Sequence, residues 1–304
     1  MIRMLNRRVF GRLMAGALFA RGGWPVRLIG ETTTEPGDAA SQFSVMIWTL
    51  RSLGSFEENL ERVAQAGYRH VELVAEFKKW SEEDTRRILV RMQALKISID
   101  ATTVMTLGFA DPAGGDAFIA ELKRSIPVVR GLGCSQIIMV SGKRIEGVAP
   151  EVQHRACVDT LKRAAEVLSA ENMVGLLEPI DRLENPPIYL NGVTEAFEIT
   201  RAVASPHVKV LYDLYHEQRE FGNLIEKLEK NIDQVGLIHI ADVPGRHEPG
   251  TGEVNYGSIY RKLGKLDYKG VIAMEFYPTG DVVEGLRLAR EQAMSAMAAG
   301  RSAV

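Results

Sequence analysis

The chain has 304 residues, of which 46% are hydrophobic and 25% are charged, an ordinary globular composition with enough length for a large core. The formal net charge is −2, so the sequence lacks the overall basic character that would indicate binding to nucleic acid. The two cysteines, Cys134 and Cys157, are too few for a disulfide framework, and their apolar or helical surroundings predict two buried thiols.

Residues 1–41 differ from the rest of the chain. The arginine pair Arg7-Arg8 precedes a short apolar run over residues 13–20, an order typical of an export signal. The arginine pair favours the twin-arginine route to the periplasm; without export the protein would be cytoplasmic. The run is too short for a membrane-spanning helix and no clean small-residue cleavage site follows it, so an amphipathic or disordered extension, or a start codon placed too early, is the alternative. Residues 31–41 are typical of a flexible linker.

From residue 42 onward, short apolar segments alternate with helical ones, which predicts a single domain over residues 42–304. The predicted strands cover residues 43–50, 70–74, 97–104, 136–140, 173–177, 208–212, 235–240 and 270–274. The predicted helices cover residues 55–66, a segment opening at Ser81, a segment ending near 132–133, and residues 149–171, 191–203, 222–231, 256–266 and 283–299. Gly67 is expected to end the first helix, Ser81 and Asp84 to form a capping box, and Asn191 to cap the helix that follows it.

Eight short apolar strands alternating with eight helices predict an α/β fold, the (β/α)8 or TIM barrel. A doubly wound open sheet is the rival architecture. It would require a glycine-rich phosphate turn after the first strand, and residues 51–54 (RSLG) do not form one.

Four ionisable residues stand at the ends of the last four predicted strands: Glu178, Asp213, His239 and Glu275. Each is about one strand–helix unit from the next, so all four are expected on the same face of the barrel. One such residue alone would more often be a strand-end charge facing solvent. Three carboxylates converging without a lysine would repel one another, and a bound divalent cation removes that problem. Three oxygen ligands and one imidazole suit Mn²⁺, Mg²⁺ or Co²⁺, with Zn²⁺ as a further option.

The same residues suggest a chemistry. A Lewis-acidic metal polarises a carbonyl, and two glutamates flanking a small substrate, Glu178 and Glu275, could remove and return a proton on neighbouring carbons. The loop after the seventh strand would place Arg246 and Glu248 over the substrate, with Arg246 clamping a carboxylate or hydroxyl. His216 could reach a substrate oxygen; a supporting or surface histidine is the alternative interpretation.

Four segments carry a resemblance to a known family: residues 177–180 (LEPI), 212–216 (YDLYH), 240–253 (IADVPGRHEPGTGE) and 274–278 (MEFYP). They resemble the hydroxypyruvate isomerase family of xylose isomerase-like barrels, a group that also includes ketose 3-epimerases and endonuclease IV. The resemblance implies a TIM barrel and aldose–ketose isomerisation through a metal-bound enediolate. It also implies Glu178, Asp213, His239 and Glu275 as metal ligands, with Glu178 and Glu275 as proton carriers.

Several functions stay open at this point. The first is a metal-dependent isomerase of hydroxypyruvate or a similar short hydroxy-carbonyl compound. The second is a ketose 3-epimerase or sugar isomerase, favoured by His239, since the epimerases have histidine there and hydroxypyruvate isomerases often have glutamine. A DNA-repair endonuclease would need more than six histidines and a basic groove, and a non-enzymatic sugar-binding barrel would not need Glu178 and Glu275. We therefore expect a small-molecule substrate, no nucleic-acid partner and no stable membrane span, with a homo-oligomer left open.

Overall fold

The computed structural model describes residues 42–303. The leader and linker predicted over residues 1–41 lie outside the described residues, so the predictions of export and domain organisation that rest on them stay predictions.

Eight parallel strands pair in sequence order and close into a barrel, which confirms the predicted TIM-barrel fold. The strands are β1 (Phe43–Met46), β2 (His70–Val74), β3 (Ser98–Thr103), β4 (Gln136–Val140), β5 (Val174–Glu178), β6 (Val208–Asp213), β7 (Val235–Ile240) and β8 (Val271–Met274).

Helices connect the strands on the outside of the barrel. Within residues 42–303 they are α1 (Phe56–Gln65), α2 (Glu82–Leu95), α3 (Gly115–Gly131), α4 (Pro150–Ala170), α5 (Val193–Val203), α6 (Leu214–Glu220), α7 (Leu224–Asn231), α8 (Tyr256–Lys265) and α9 (Val282–Arg301). The predicted capping box is confirmed at the start of α2, where the side chains of Ser81 and Asp84 each bond the other residue's backbone amide. Gly67 follows α1 in the left-handed region, as predicted, with φ +86°.

Apart from shifts of a residue or two at element ends, three details differ from the sequence prediction. β1 ends at Met46 and continues as a 3₁₀ turn, Ile47–Leu50, in which the Thr49 hydroxyl donates to the Met46 carbonyl. The cap of α5 is Gly192, and Asn191 instead donates from its side chain to Glu220. Helix α6 was not predicted; it begins directly after β6 because the side chain at the strand end accepts hydrogen bonds from its first-turn amides.

The core has two parts. A large apolar cluster packs the helices onto the outer face of the barrel, and both cysteines are buried, as predicted. A smaller cluster takes one buried residue from each of seven strands: Met46, Ala101, Ile138, Leu176, Leu211, Leu237 and Ala273. We call this smaller cluster the inner ring; β2 contributes no apolar member to it. Within residues 42–303, no helix combines the length and hydropathy that a membrane span requires.

Candidate metal centre and active site

Strand register brings the four predicted ligands to one edge of the barrel. Asp213 pairs directly with His239 across β6 and β7, and Glu178 is the last residue of β5. Glu275 follows β8, and its backbone amide donates to the Ile240 carbonyl at 3.0 Å. All four side chains therefore project from the carboxyl ends of adjacent strands, where active sites of this fold lie.

The four side chains form one buried cluster. One ligand atom from each residue lies within 4.8 Å of the others, and all four residues are buried. His239 is the centre of the group. Its Nδ1 lies 2.6 Å from Glu275 Oε2, 3.8 Å from Glu178 Oε1 and 3.9 Å from Asp213 Oδ2.

The cluster fits a divalent cation. His239 Nδ1 and Glu275 Oε2 are buried, and among the residues that the structure describes neither makes a well-aligned hydrogen bond, although the two atoms lie 2.6 Å apart and Arg246 approaches Oε2. Leaving buried polar atoms unpaired costs free energy, and a cation held between them would satisfy both. Three carboxylates and one imidazole are the donor set of Mn²⁺, Mg²⁺, Co²⁺ or Zn²⁺ sites.

The two glutamates of the cluster differ in acidity. Burial, reinforced by the nearby charge of Glu275 and opposed by His239, raises the pKa of Glu178 to about 7. Burial acts in the same direction on Glu275, but the positive charges of Arg246 and His239 outweigh it and hold the pKa of Glu275 well below its usual range. Carboxyl groups whose environments separate their pKa values in this way can serve as proton donor and proton acceptor.

Arg246 lies beside both the cluster and the cavity. Its Nη2 is 2.9 Å from Glu275 Oε2 and 3.5 Å from Asp213 Oδ2, and its Nη1 donates to Glu184 at 2.9 Å. The guanidinium also stacks between two aromatic rings, 5.6 Å from the Trp48 centroid and 4.8 Å from that of Tyr215. These contacts hold the Arg246 guanidinium beside Glu275 and Asp213 at the cavity wall.

His216 is buried and sits between two carboxylates. Its Nδ1 lies 2.6 Å from Asp181 Oδ2 and its Nε2 lies 3.4 Å from Asp213 Oδ2. Burial opposes the charged ring, but these two carboxylates outweigh it and raise the pKa of His216 to about 9. Asp181 and Glu184 form a second acidic group around His216, yet Arg219 lies within 3.6 Å of both and already balances their charge. The structure therefore favours an ion-pair network over a second metal site.

The cluster opens onto a cavity of about 670 Å³. Four of the predicted site residues line it: Glu178, His216, Arg246 and Glu275. Glu248 is not among the lining residues; its carboxylate accepts from the backbone amide and hydroxyl of Thr279 and so ties two surface loops together.

Three residues of the site were missed by sequence reasoning. Trp48 donates from Nε1 to Glu275 Oε1 at 2.9 Å, and Glu184 binds Arg246 at the cavity wall. Glu72 Oε2 lies 2.7 Å from His239 Nε2 inside the barrel. For Glu72 a signal existed, because an acidic residue in the middle of the apolar strand β2 requires a buried partner.

The loop between β7 and α8 is held by one buried side chain. Asp242 accepts from the backbone amides of Val243 and Val254 at Oδ1, and from that of Gly250 at Oδ2. Gly252 packs so closely here that a Cβ would lie 2.1 Å from the Val243 carbonyl oxygen and 2.6 Å from Asp242 Oδ1. The loop that carries Arg246 is therefore an ordered structure.

Comparison with known proteins identifies the family. Residues 60–293 match the model of the xylose isomerase-like TIM barrel family. The chain belongs to this family. Hydroxypyruvate isomerase of Escherichia coli (strain K12) is 30% identical over 257 residues, which cover 81% of this chain and 97% of that protein. This relative confirms the resemblance to hydroxypyruvate isomerases and places the chain among isomerases.

Two further comparisons concern a second isomerase and a solved structure. The 2-oxo-tetronate isomerase of Cupriavidus necator is 32% identical over 181 residues, covering 59% of this chain and 69% of that protein. Among solved structures, an AP endonuclease of family 2 from Brucella melitensis superposes with a TM-score of 0.73 at 24% identity, covering 81% of this chain and 96% of that one. At that identity the structural likeness shows the fold alone.

Proposed function

We propose that this protein is a metal-dependent isomerase that moves a proton between neighbouring carbons of hydroxypyruvate or a related small hydroxy-carbonyl compound. The observation that carries the proposal is the buried cluster of Glu178, Asp213, His239 and Glu275, whose two glutamates line one cavity. Relatives named hydroxypyruvate isomerase and 2-oxo-tetronate isomerase support the substrate class. The oxygen-rich donor set favours Mn²⁺ or Mg²⁺ over Co²⁺ or Zn²⁺.

The residues of the chain divide the chemistry between them. A divalent cation, when bound, would polarise the substrate carbonyl and balance the negative charge of the cluster. One of the two glutamates, Glu178 or Glu275, takes the proton from the carbon beside the carbonyl, and a glutamate returns it to the former carbonyl carbon. The hydroxyl proton of the first carbon passes to the former carbonyl oxygen, so that hydroxyl and carbonyl exchange places. Arg246 holds a substrate oxygen from the cavity wall, and His216 lines the same wall as a second hydrogen-bond donor.

A ketose 3-epimerase is the second candidate. It uses the same proton transfer but returns the proton to the carbon from which it came, on the opposite face. Two observations favour it: a histidine holds position 239, and the cavity of about 670 Å³ lies within the range of pockets that accept ligands much larger than a three-carbon acid.

Isotope exchange tests both candidates. The protein loaded with Mn²⁺ is incubated in D₂O with hydroxypyruvate, tartronate semialdehyde and a panel of ketoses, and deuterium uptake is followed by NMR. We expect exchange into at least one compound, and a loss of about 10²- to 10⁴-fold in Glu178→Gln and Glu275→Gln, the size typical of a missing general acid or base. Glu83→Gln, the same change at an exposed position of α2, is the matched control.

The outcomes separate the candidates. Interconversion of hydroxypyruvate and tartronate semialdehyde supports the first, and exchange at C3 of a ketose with inversion supports the second. If the unmodified protein exchanges deuterium into none of these compounds, the proposed isomerase activity is wrong.

A further inference from the structure

Glu72 occupies a position in the barrel where its neighbours are apolar. In the strand register it lies between Met46 of β1 and Ala101 of β3, which both belong to the inner ring. Glu72 is thus the β2 residue at the level of a ring that the other seven strands build from apolar side chains. It is 0% exposed. A carboxylate so placed costs several kcal/mol in lost hydration, so a specific partner must account for it.

That partner is His239. Glu72 Oε2 lies 2.7 Å from His239 Nε2, and both residues are buried. The other oxygen, Oε1, is buried and has no hydrogen-bond partner within residues 42–303. The hydrogen-bonding capacity of Glu72 is therefore directed at one ring nitrogen of one histidine.

This contact decides which nitrogen of His239 can bind a cation. When Nδ1 binds a cation through its lone pair, the ring proton belongs to Nε2, and Glu72 Oε2, 2.7 Å away, is placed to accept it. In a neutral imidazole, Nδ1 then carries the lone pair. Nδ1 is the atom that faces Glu275, Glu178 and Asp213.

We propose that Glu72 is a positioning residue for the metal centre: it holds the ring of His239 and keeps its proton on Nε2, so that Nδ1 is the fourth ligand atom. The inference rests on the metal site of the proposed function, although not on any particular substrate. A carboxylate behind a histidine ligand raises the basicity of that ligand, and its loss typically weakens metal binding about 10- to 100-fold.

The decisive variant is Glu72→Leu. Leucine is apolar, like the members of the inner ring, but the change leaves His239 Nε2 unpaired in a buried place, so circular dichroism first checks that the variant folds. We expect the dissociation constant for Mn²⁺, measured by isothermal titration calorimetry, to rise about 10- to 100-fold. Glu72→Gln, which can still accept one hydrogen bond from Nε2, should lose less affinity.

A matched control separates positioning from repacking. Ile138→Val changes the packing of the same ring without touching His239, and its Mn²⁺ affinity should stay within about threefold of the native value, the scatter that context allows for such effects. If Glu72→Leu binds Mn²⁺ as tightly as Ile138→Val does, Glu72 has no positioning role.

A second readout does not depend on activity. Long-range ¹H–¹⁵N NMR of the protein with and without Mg²⁺ reports which nitrogen of His239 carries the proton, and the spectrum of His239→Gln assigns its signal among the six histidines. We expect Nε2–H in the native protein with Mg²⁺ and loss of that preference in Glu72→Leu. A proton on Nδ1 in the native protein with Mg²⁺, or no binding of Mn²⁺ or Mg²⁺ at all, would overturn the inference. Cation binding with this tautomer but without isomerase activity would contradict only the proposed function.

Discussion

Trp48 lines the cavity and also contacts Glu275, one of the two proposed proton carriers. Its Nε1 donates to Glu275 Oε1, while its ring lies 5.4 Å from the Arg51 guanidinium and 5.6 Å from that of Arg246. The hydrogen bond holds one oxygen of Glu275 and leaves Oε2 facing the ligand cluster. The indole therefore orients a proton carrier and shapes the cavity at the same time.

Replacing Trp48 by phenylalanine keeps an aromatic ring, although a smaller one, and removes the donor. A hydrogen bond to a charged group contributes about 1.5 to 3 kcal/mol, so we expect kcat to fall roughly 10- to 100-fold while KM changes little. Steady-state kinetics measures both constants. Trp80→Phe, at another lining position whose ring packs on Phe56, is the control and should keep kcat within a few-fold. Equal losses in the two variants would contradict a specific role for the Trp48 donor.

His216 predicts a pH dependence of stability in the metal-free protein. Asp213 and Asp181 raise its pKa to about 9, above the value near 6.5 expected in the unfolded chain. A raised pKa means that the stabilisation is complete below pH 6.5 and is lost as pH rises through about 9. The shift corresponds to about 3 kcal/mol of unfolding free energy.

Asp181→Asn should reduce this loss, because it removes the charge that bonds His216 Nδ1. Urea unfolding of the metal-free native and variant proteins at pH 6 and pH 9.5 measures the effect, and the difference between the two proteins isolates it from other titrating groups. The same fall in unfolding free energy in both proteins would show that the Asp181 contact does not control the protonation of His216.

The conformation of the loop between β7 and α8 depends on the hydrogen bonds that Asp242 accepts. Asp242→Ala removes three hydrogen bonds to backbone amides and leaves the buried amide of Val254 and the partly buried amide of Val243 unpaired. We expect a loss of about 3 to 5 kcal/mol in unfolding free energy together with weakened activity, because Arg246 belongs to this loop. Urea unfolding measures the first effect. Glu253→Gln, at an exposed position of the loop, is the control, and a loss below about 1 kcal/mol for Asp242→Ala would contradict the prediction.

Much of the element order could be predicted because most strands are short apolar runs and helical segments alternate with them. The bounds predicted for β4 and β7 match the structure residue for residue. The local prediction was wrong where a residue distant in sequence competes for a side chain. Asn191 is a residue type that often caps helices, but its side chain donates to Glu220, which follows β6. The four strand-end residues came together because parallel strands share one carboxyl edge, a property of the repeat itself.

The other site residues depend on closure of the barrel, which no local pattern encodes. Glu72 and His239 are far apart in sequence and meet only across the interior, and Trp48 reaches Glu275 because β1 pairs with β8. For Glu248 the local pattern pointed to the site but the structure places the side chain elsewhere. Its loop suggested a place over the substrate, whereas Thr279 from the neighbouring loop binds its carboxylate.

At the scale of the molecule, the barrel concentrates negative charge at one end of its core. Glu178, Asp213 and Glu275 are buried together, and His239, Arg246 and His216 supply the nearest positive charges. The repulsion between these carboxylates and their lost hydration lower the free energy of unfolding unless a cation shares the site. Stability of the whole domain should therefore depend on metal concentration.

Metal binding to the folded state alone stabilises it by mass action, by about 2.7 kcal/mol when free metal is 100 times the dissociation constant. For a domain of this size each kcal/mol raises the melting temperature by roughly 2 to 4 °C, so Mn²⁺ at that excess should raise it by about 5 to 10 °C over protein treated with chelator. Differential scanning calorimetry measures the shift.

Two variants serve as comparisons. The melting temperature of Asp213→Asn, which weakens one ligand, should rise less at the same Mn²⁺ concentration, whereas that of Glu83→Gln on the surface should rise as it does for the native protein. An equal rise in all three proteins would place the stabilising cation outside the cluster, because only a site that includes Asp213 can distinguish them.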